Sequence, residues 1–305
     1  MNSAKATLTG LVAILLWSAN VGLIKHVSES FGAVAGAALI YTCSALVLLF
    51  TAGFPKLKSF SRAYLMIGPA LFVSYEVCLS LSLGYSQNAQ QAIEVGMVNY
   101  LWPAMTVVLG IIVNRQRVHW MMVPGIVVSL AGILLVLSGD KPPSWQQITE
   151  NISVNPLSYG LAFAGAIIWA VYCVVTQKLA GGNNGITFFF ILTALTLWVK
   201  YLFTADVGMS FSVPSTVSLV LAALAMGLGY GAWNIGILHG NASLLATVSY
   251  FIPVLSSLLA SVMLHSALTL SFWQGTAMVC LGSLVCWLAT RTAGKKRSAA
   301  ARQPQ

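Results

Sequence analysis

Long apolar runs separated by short polar connectors dominate the chain. Hydropathy along it predicts ten membrane-crossing helices, at about 6–24, 32–53, 63–84, 91–113, 119–138, 156–178, 186–204, 215–238, 242–264 and 270–290. Each run is close to the roughly 20 residues that cross a hydrocarbon core about 30 Å thick. No ten-residue stretch alternates polar and apolar positions, and open sheet edges cannot sit in lipid. The expected fold class is therefore an all-α polytopic membrane protein rather than a barrel. The first run, after Lys5, is expected to remain as the first helix, because no small-residue cleavage pattern leads into a polar segment.

The pattern repeats. The fourth and fifth predicted helices match the ninth and tenth without gaps at an offset of 150: Tyr100 with Tyr250, Pro103 with Pro253, Gly125 with Gly275, and Gly132 with Gly282. Upstream the register drifts but continues, with Trp17 against Trp169 and Tyr75 against Tyr230. Each repeat then holds five helices, and because five is odd the second must enter the membrane from the opposite side. The expected organisation is two inverted five-helix repeats at 1–138 and 156–290, an external linker at 139–155, and a basic cytoplasmic tail at 291–305. Inverted repeats recur in secondary transporters with a central binding site.

Composition agrees with this reading and removes other classes. Of 305 residues 58% are apolar and only 7% are charged, too few charges to cover a water-facing surface of this size. The net charge of +9 would point to nucleic acid in a soluble chain. With the amino terminus inside, however, Lys5, Lys56, Lys58, Arg62, Arg115, Arg117, Lys178 and the tail residues Arg291, Lys295, Lys296, Arg297 and Arg302 all fall on the inner side. Those are twelve of the 15 basic residues, with Lys25, Lys141 and Lys200 outside. The positive-inside rule thus predicts both termini in the cytoplasm, with membrane lipid rather than nucleic acid as partner. The acids Glu29, Asp140, Glu150 and Asp206 fall outside, and Glu76 and Glu94 are embedded. All five cysteines lie in apolar runs, with no disulfide, metal or cofactor pattern. The oligomeric state stays open.

Candidate path-lining residues follow from depth and helical spacing. Trp17 and Asn20 share a face of the first helix, and Trp169 and Tyr172 share the matching face of the sixth. Tyr230, Trp233 and Asn234 share a face of the eighth, and Ser243, Thr247, Tyr250 and Ser257 form a polar stripe on the ninth. Asn99, Tyr100 and Trp102 sit at mid-depth in the fourth helix beside Pro103. Pro103 and Pro253 each remove a backbone hydrogen bond, from the carbonyls of Asn99 and Ser249, and are either structural kinks or hinges beside a cavity. Polar stripes are costly against lipid, so these faces should point inward, to pack or to bind. An embedded acid costs roughly 2.5–3.5 kcal/mol, so Glu76 and Glu94 should each meet water or a partner. Lys25 is a candidate partner for Glu94. Glu76, next to Tyr75, suits a substrate ammonium or a carried proton. Trp120, Trp198, Tyr201, Trp273 and Trp287 lie near span ends and read as interfacial anchors. The spacings Gly32 with Gly36, Gly227 with Gly231, and Gly236 with Gly240 read as close-packing features.

Ten helices in two five-helix halves, with proline in the fourth of each, resemble the drug/metabolite transporter superfamily of the EamA type over essentially the whole chain. The run EVGMVNYLWP from Glu94 to Pro103, followed by VPG at Val123 to Gly125, is similar to the aromatic amino acid exporters of that superfamily. The resemblance implies a bacterial inner-membrane exporter of amino acids, including phenylalanine, tyrosine and tryptophan. There is one departure: where many members close the fourth and ninth helices with an acid, this chain has Gln116 and Ser266, so no role attached to that acid is carried over.

The residues alone reach a transporter of a small amphipathic metabolite. An efflux carrier for aromatic cations, neutralised by Glu76, is the related alternative. An intramembrane enzyme would need a catalytic cluster, yet there is no HExxH motif and His26, His119, His239 and His265 lie near span ends. A sensor would want a signalling domain, and only 15 residues follow Thr290. Truncating Trp102, Tyr230 or Trp233 is expected to impair transport of bulky aromatic substrates more than small ones, through lost stacking. Equal losses across substrate sizes in a transport assay would contradict this.

Overall fold

The computed structural model describes residues 2–114, 120–138, 145–204 and 208–300; the side chains at 107, 114, 147, 237–238, 242–243, 246–247 and 290–300 are outside that description. The regular elements are helical throughout the described residues. They are α1 (Ser3–Ser18), α2 (Asn20–Phe31), α3 (Ala33–Thr51), α4 (Arg62–Gly84), α5 (Ala89–Asn99), α6 (Trp102–Asn114) and α7 (Met122–Ser138). The second half holds α8 (Trp145–Val154), α9 (Pro156–Leu179), α10 (Ile186–Leu202), α11 (Val213–His239), α12 (Ala242–Ser249), α13 (Ile252–Met263) and α14 (Leu270–Ala300). Among the described residues six helical stretches are long and apolar enough to cross a membrane, seven if the bent pair α1–α2 is one span, and α7, α10 and α13 are apolar but shorter. The chain is an all-α, multi-pass membrane protein.

Helix starts follow local chemistry. Asn88 and Asn155 cap α5 and α9 by accepting the backbone N–H of Gln91 (2.8 Å) and Ser158 (3.2 Å), satisfying donors that a helix amino terminus leaves free. Ser212 and Ser215 form a reciprocal capping box on α11. Gly32, at φ +81°, takes the left-handed backbone that lets α2 turn into α3.

Three predicted continuous helices are broken. The first bends by 42° at Ala19, the fourth is interrupted at residues 100–101 and the ninth at 250–251. This corrects the expectation that Pro103 and Pro253 sit inside unbroken helices. Each stands instead in the first turn of a new segment, where a helix has no partner for that N–H anyway. The two breaks have the same bonding at an offset of 150: Leu101 N–H reaches Val98 O at 3.2 Å, and Phe251 N–H reaches Val248 O at 3.0 Å. Pro69 lies inside α4 without interrupting it. The predicted polar linker also carries a helix, α8, and α14 continues past the predicted span into the basic tail. Of the charges used to orient the chain, Arg115, Arg117, Asp140, Lys141, Asp206 and Arg302 lie outside the described residues, as do His119 and Gln116.

The repeat-related glycines meet crosswise. A Cβ placed on Gly132 would fall 2.6 Å from the Gly275 carbonyl oxygen, and one on Gly125 would fall 2.9 Å from that of Gly282. Between these contacts Ser129 donates to the Val279 carbonyl at 3.5 Å. The register runs antiparallel, with α7 against α14. Gly10 and Gly236 bring α1 equally close to α11: a Cβ on Gly236 would fall 2.7 Å from the Gly10 Cα. Without a hydrophobic drive between helices in lipid, close backbone approach of this kind supplies the packing energy.

Gly132→Ala is expected to cost roughly 1–3 kcal/mol, the usual range for overpacking, and to lower the unfolding midpoint of the purified protein. Gly160→Ala, where an added Cβ meets nothing within 4 Å, should leave the midpoint unchanged or raise it. Equal midpoints for the two variants would contradict the packing account.

Candidate functional site

The three helix breaks converge on one pocket. Asn20 follows the break at Ala19, Tyr100 lies in the break between α5 and α6 with Trp102 just after it, Ile252 opens α13, and all four line the same space. The space between these side chains, with the solvent of its open mouth included, is about 610 Å³. The repeat-matched aromatics Trp17, Trp169, Tyr75 and Tyr230 line it too. Among the described residues the lining contains no Asp, Glu, Lys, Arg or His.

The aromatic wall is internally braced. Trp17 meets Tyr230 edge-on at 4.9 Å between centroids, and Trp169 lies tilted against Tyr75 at 4.4 Å and stacked on Tyr172 at 4.9 Å. Such offset and edge-on contacts contribute beyond area alone. Phe72 sits behind, fully buried, with ring contacts to Trp169, Tyr172, Phe189, Phe190 and Tyr230. The sequence reading did not single it out, since one phenylalanine among 13 carries no polar signal. Gly229 gives Trp17 its place: a Cβ there would fall 2.8 Å from the indole nitrogen.

Three polar atoms of this lining are buried with no hydrogen-bond partner: Trp17 Nε1, Asn20 Oδ1 and Asn99 Oδ1. A buried polar group without a partner costs roughly 1–3 kcal/mol, so among the described residues one donor and two acceptors stand unsatisfied in the pocket wall. A second cavity, lined by Leu101, Met105, Leu109, Ile126 and their apolar neighbours, offers nothing comparable. Its one hydroxyl, on Ser129, is directed at Val279 O.

Eight of the sequence-predicted residues therefore come together: Trp17, Asn20, Tyr75, Asn99, Tyr100, Trp102, Trp169 and Tyr230. Six do not line the pocket. Tyr172 stacks behind Trp169, and Trp233 lies against Trp17 at 5.2 Å. Asn234 bonds back to the Tyr230 carbonyl, and Tyr250 faces Trp287. Glu76 accepts hydrogen bonds from the hydroxyls of Tyr41 and Tyr230. Glu94 accepts from Tyr159 (2.6 Å), Gln90 (3.0 Å) and Asn151 (3.1 Å). Those three donors replace the expected partner Lys25, whose ammonium instead donates to Ser86 O at 2.6 Å and pairs with Glu29 at 3.5 Å. On the ninth-helix stripe Ser257 donates toward Met97 Sδ at 3.5 Å, while the side chains of Ser243 and Thr247 lie outside the described residues. Ser266 donates to Gln90 Oε1 at 3.4 Å. The anchor Trp198 donates to Thr42 at 2.9 Å.

A multi-pass helical fold with an uncharged, aromatic-walled pocket at its helix breaks defines a membrane carrier of a small molecule. The EamA-like transporter family matches residues 4–138 and, separately, 156–288. The chain belongs to that family, and it is not an enzyme. Relatives include the "Aromatic amino acid exporter YddG" of Escherichia coli strain K12 and its namesake from Salmonella typhimurium strain 14028s. Each is 55% identical over 291 residues, covering 95% of this chain and 99% of the relative. The protein of that name from Ancylobacter novellus is 29% identical over 306 residues, covering 95% of this chain and all of the relative. A solved crystal structure at 23% identity superposes with a TM-score of 0.66 over 95% of this chain and 99% of its own, which shows the shared fold.

Glu94→Ala leaves Tyr159 and Gln90 without their acceptor at one stroke. It is expected to destabilise the purified protein by roughly 1–3 kcal/mol, more than Asn151→Ala, in a thermal unfolding assay. A smaller loss from Glu94→Ala than from Asn151→Ala would contradict the assignment.

Proposed function

We propose that this chain exports aromatic and other apolar amino acids across the bacterial inner membrane, by alternating access through the pocket at the three helix breaks. The observation that carries this reading is the lining: flat aromatic faces for an apolar side chain, and in the same wall an indole N–H and two amide oxygens without partners of their own, suited to a neutral zwitterion's carboxylate and ammonium. The relatives' printed activity, at 55% identity over nearly the whole chain, supports the same substrate class. An aromatic cation fits less well, because neither embedded acid lines the pocket.

The reading includes an architecture. Ten spans, the seven long ones plus α7, α10 and α13, form inverted repeats at 1–138 and 156–290, joined by an external linker at 139–155 and followed by a cytoplasmic tail at 291–305. The two separate family matches, the crosswise contacts Gly125 to Gly282 and Gly132 to Gly275, and the equivalent breaks before Pro103 and Pro253 support it. Both termini are cytoplasmic in this arrangement, and the pocket runs from mid-depth into the outer half, where Val21, Leu83 and Gly96 line it. Pro103 and Pro253 serve as hinges, each fixing where its span divides.

Counterflow of labelled phenylalanine into proteoliposomes tests the function. Saturable uptake is expected, with competition by tryptophan and tyrosine and none by lysine or glutamate. Transport of a cationic dye without transport of phenylalanine would overturn the reading in favour of a cation carrier.

A further inference from the structure

Glu76 is fully buried in α4, yet it does not line the pocket. The pocket-facing stripe of α4 is Tyr75, Leu79 and Leu83, and Glu76 stands about 100° round the helix from Tyr75. Both carboxyl oxygens are occupied: Oε1 accepts the Tyr230 hydroxyl and Oε2 the Tyr41 hydroxyl, each at 2.5 Å. Ser80 in turn donates to the Tyr41 oxygen at 3.2 Å. Among the described residues the ion pairs are those of Glu29 with Lys25 and His26, so tyrosine hydroxyls stand where a counter-cation would. Tyr230 lies on α11 and forms part of the pocket wall. Its hydroxyl is committed to Glu76, and the surface it offers the pocket is its ring, held edge-on to Trp17 and packed on Phe72 and Phe190.

We propose that Glu76 is a positioning residue for selectivity: its carboxylate clamps the Tyr230 hydroxyl, so that the ring, and not the hydroxyl, faces the substrate. The clamp joins the first half of the chain to the second and keeps a flat aromatic wall beside Trp17. Glu76 thereby favours aromatic over small apolar side chains without touching the amino acid. This rests on the reading of the pocket as the amino acid site.

The test compares wild type, Glu76→Gln, Tyr230→Phe and the double variant, purified at full length and reconstituted, with counterflow of phenylalanine and of valine. Each single change should raise the half-saturation concentration for phenylalanine roughly tenfold, the order expected for one lost hydrogen bond to a charged group. Valine should change less than about twofold, and the double variant should be no worse than the more impaired single one, since both act on the same bond, Gln by replacing its charged acceptor with a neutral one and Phe by removing its donor. An equal loss for both substrates with Glu76→Gln, multiplying with that of Tyr230→Phe, would instead place the carboxylate on the shared ammonium and overturn the proposal. The same four proteins melted in detergent without substrate test the clamp independently of transport: non-additive midpoint shifts support it and additive shifts overturn it. Wild-type vesicles that carry neither amino acid would sink the export reading, and with it the selectivity role, while the melting cycle would still decide whether Glu76 holds Tyr230.

Discussion

Backbone polar groups cannot be left unpaired in hydrocarbon, and this constraint organises the protein. A helix that breaks at membrane depth is tolerated only where the freed backbone is buried in protein or faces a cavity. Three breaks, at Ala19, at 100–101 and at 250–251, are therefore forced together in the interior, and the residues beside them form the pocket. Proline makes two of the breaks inexpensive, because a proline in the first turn of the new segment gives up no bond the helix would have made. The third, at Ala19, has no proline, and the bend there turns Asn20 into the pocket.

The same constraint governs the few charges. Among the described residues two acids lie buried, and each takes a tyrosine hydroxyl from the other half of the chain: Glu76 from Tyr230 and Glu94 from Tyr159. A lone buried carboxylate is expensive, and hydrogen bonds from neutral donors reduce that cost without bringing in a cation. The pocket itself is left free of charge, which suits a ligand whose own charges cancel. Its three unpaired polar atoms are few and fixed, as expected of a site that orients a small polar head against a larger apolar wall.

Much of this was legible in the sequence. The span pattern and the mid-depth aromatics pointed to an all-α, multi-pass chain and to eight residues that line one pocket, because depth and periodicity are one-dimensional signals. The direction of Glu76 was not legible. Its neighbour Tyr75 shares its depth, and only the rotation of α4 decides which of the two faces the cavity. For Glu94 charge alone offered Lys25 as a candidate partner, whereas the fold brings Asn151 and Tyr159 from segments more than fifty residues away. Phe72 was invisible because nothing marks one core phenylalanine among many. The breaks in the fourth and ninth helices were signalled by proline, but their position a residue or two earlier depends on how the next segment starts.

We propose that the amino acid binds in the pocket at the helix breaks, and a crystal structure of the protein with phenylalanine bound would show whether it does. The account predicts the phenyl ring against Trp17, Trp169 and Tyr230, with the ammonium and carboxylate at Asn20, Asn99 and the Trp17 indole nitrogen. Phenylalanine seated instead with its ammonium on Glu76 or Glu94, or held in the apolar cavity beside Leu101 and Leu109, would contradict it.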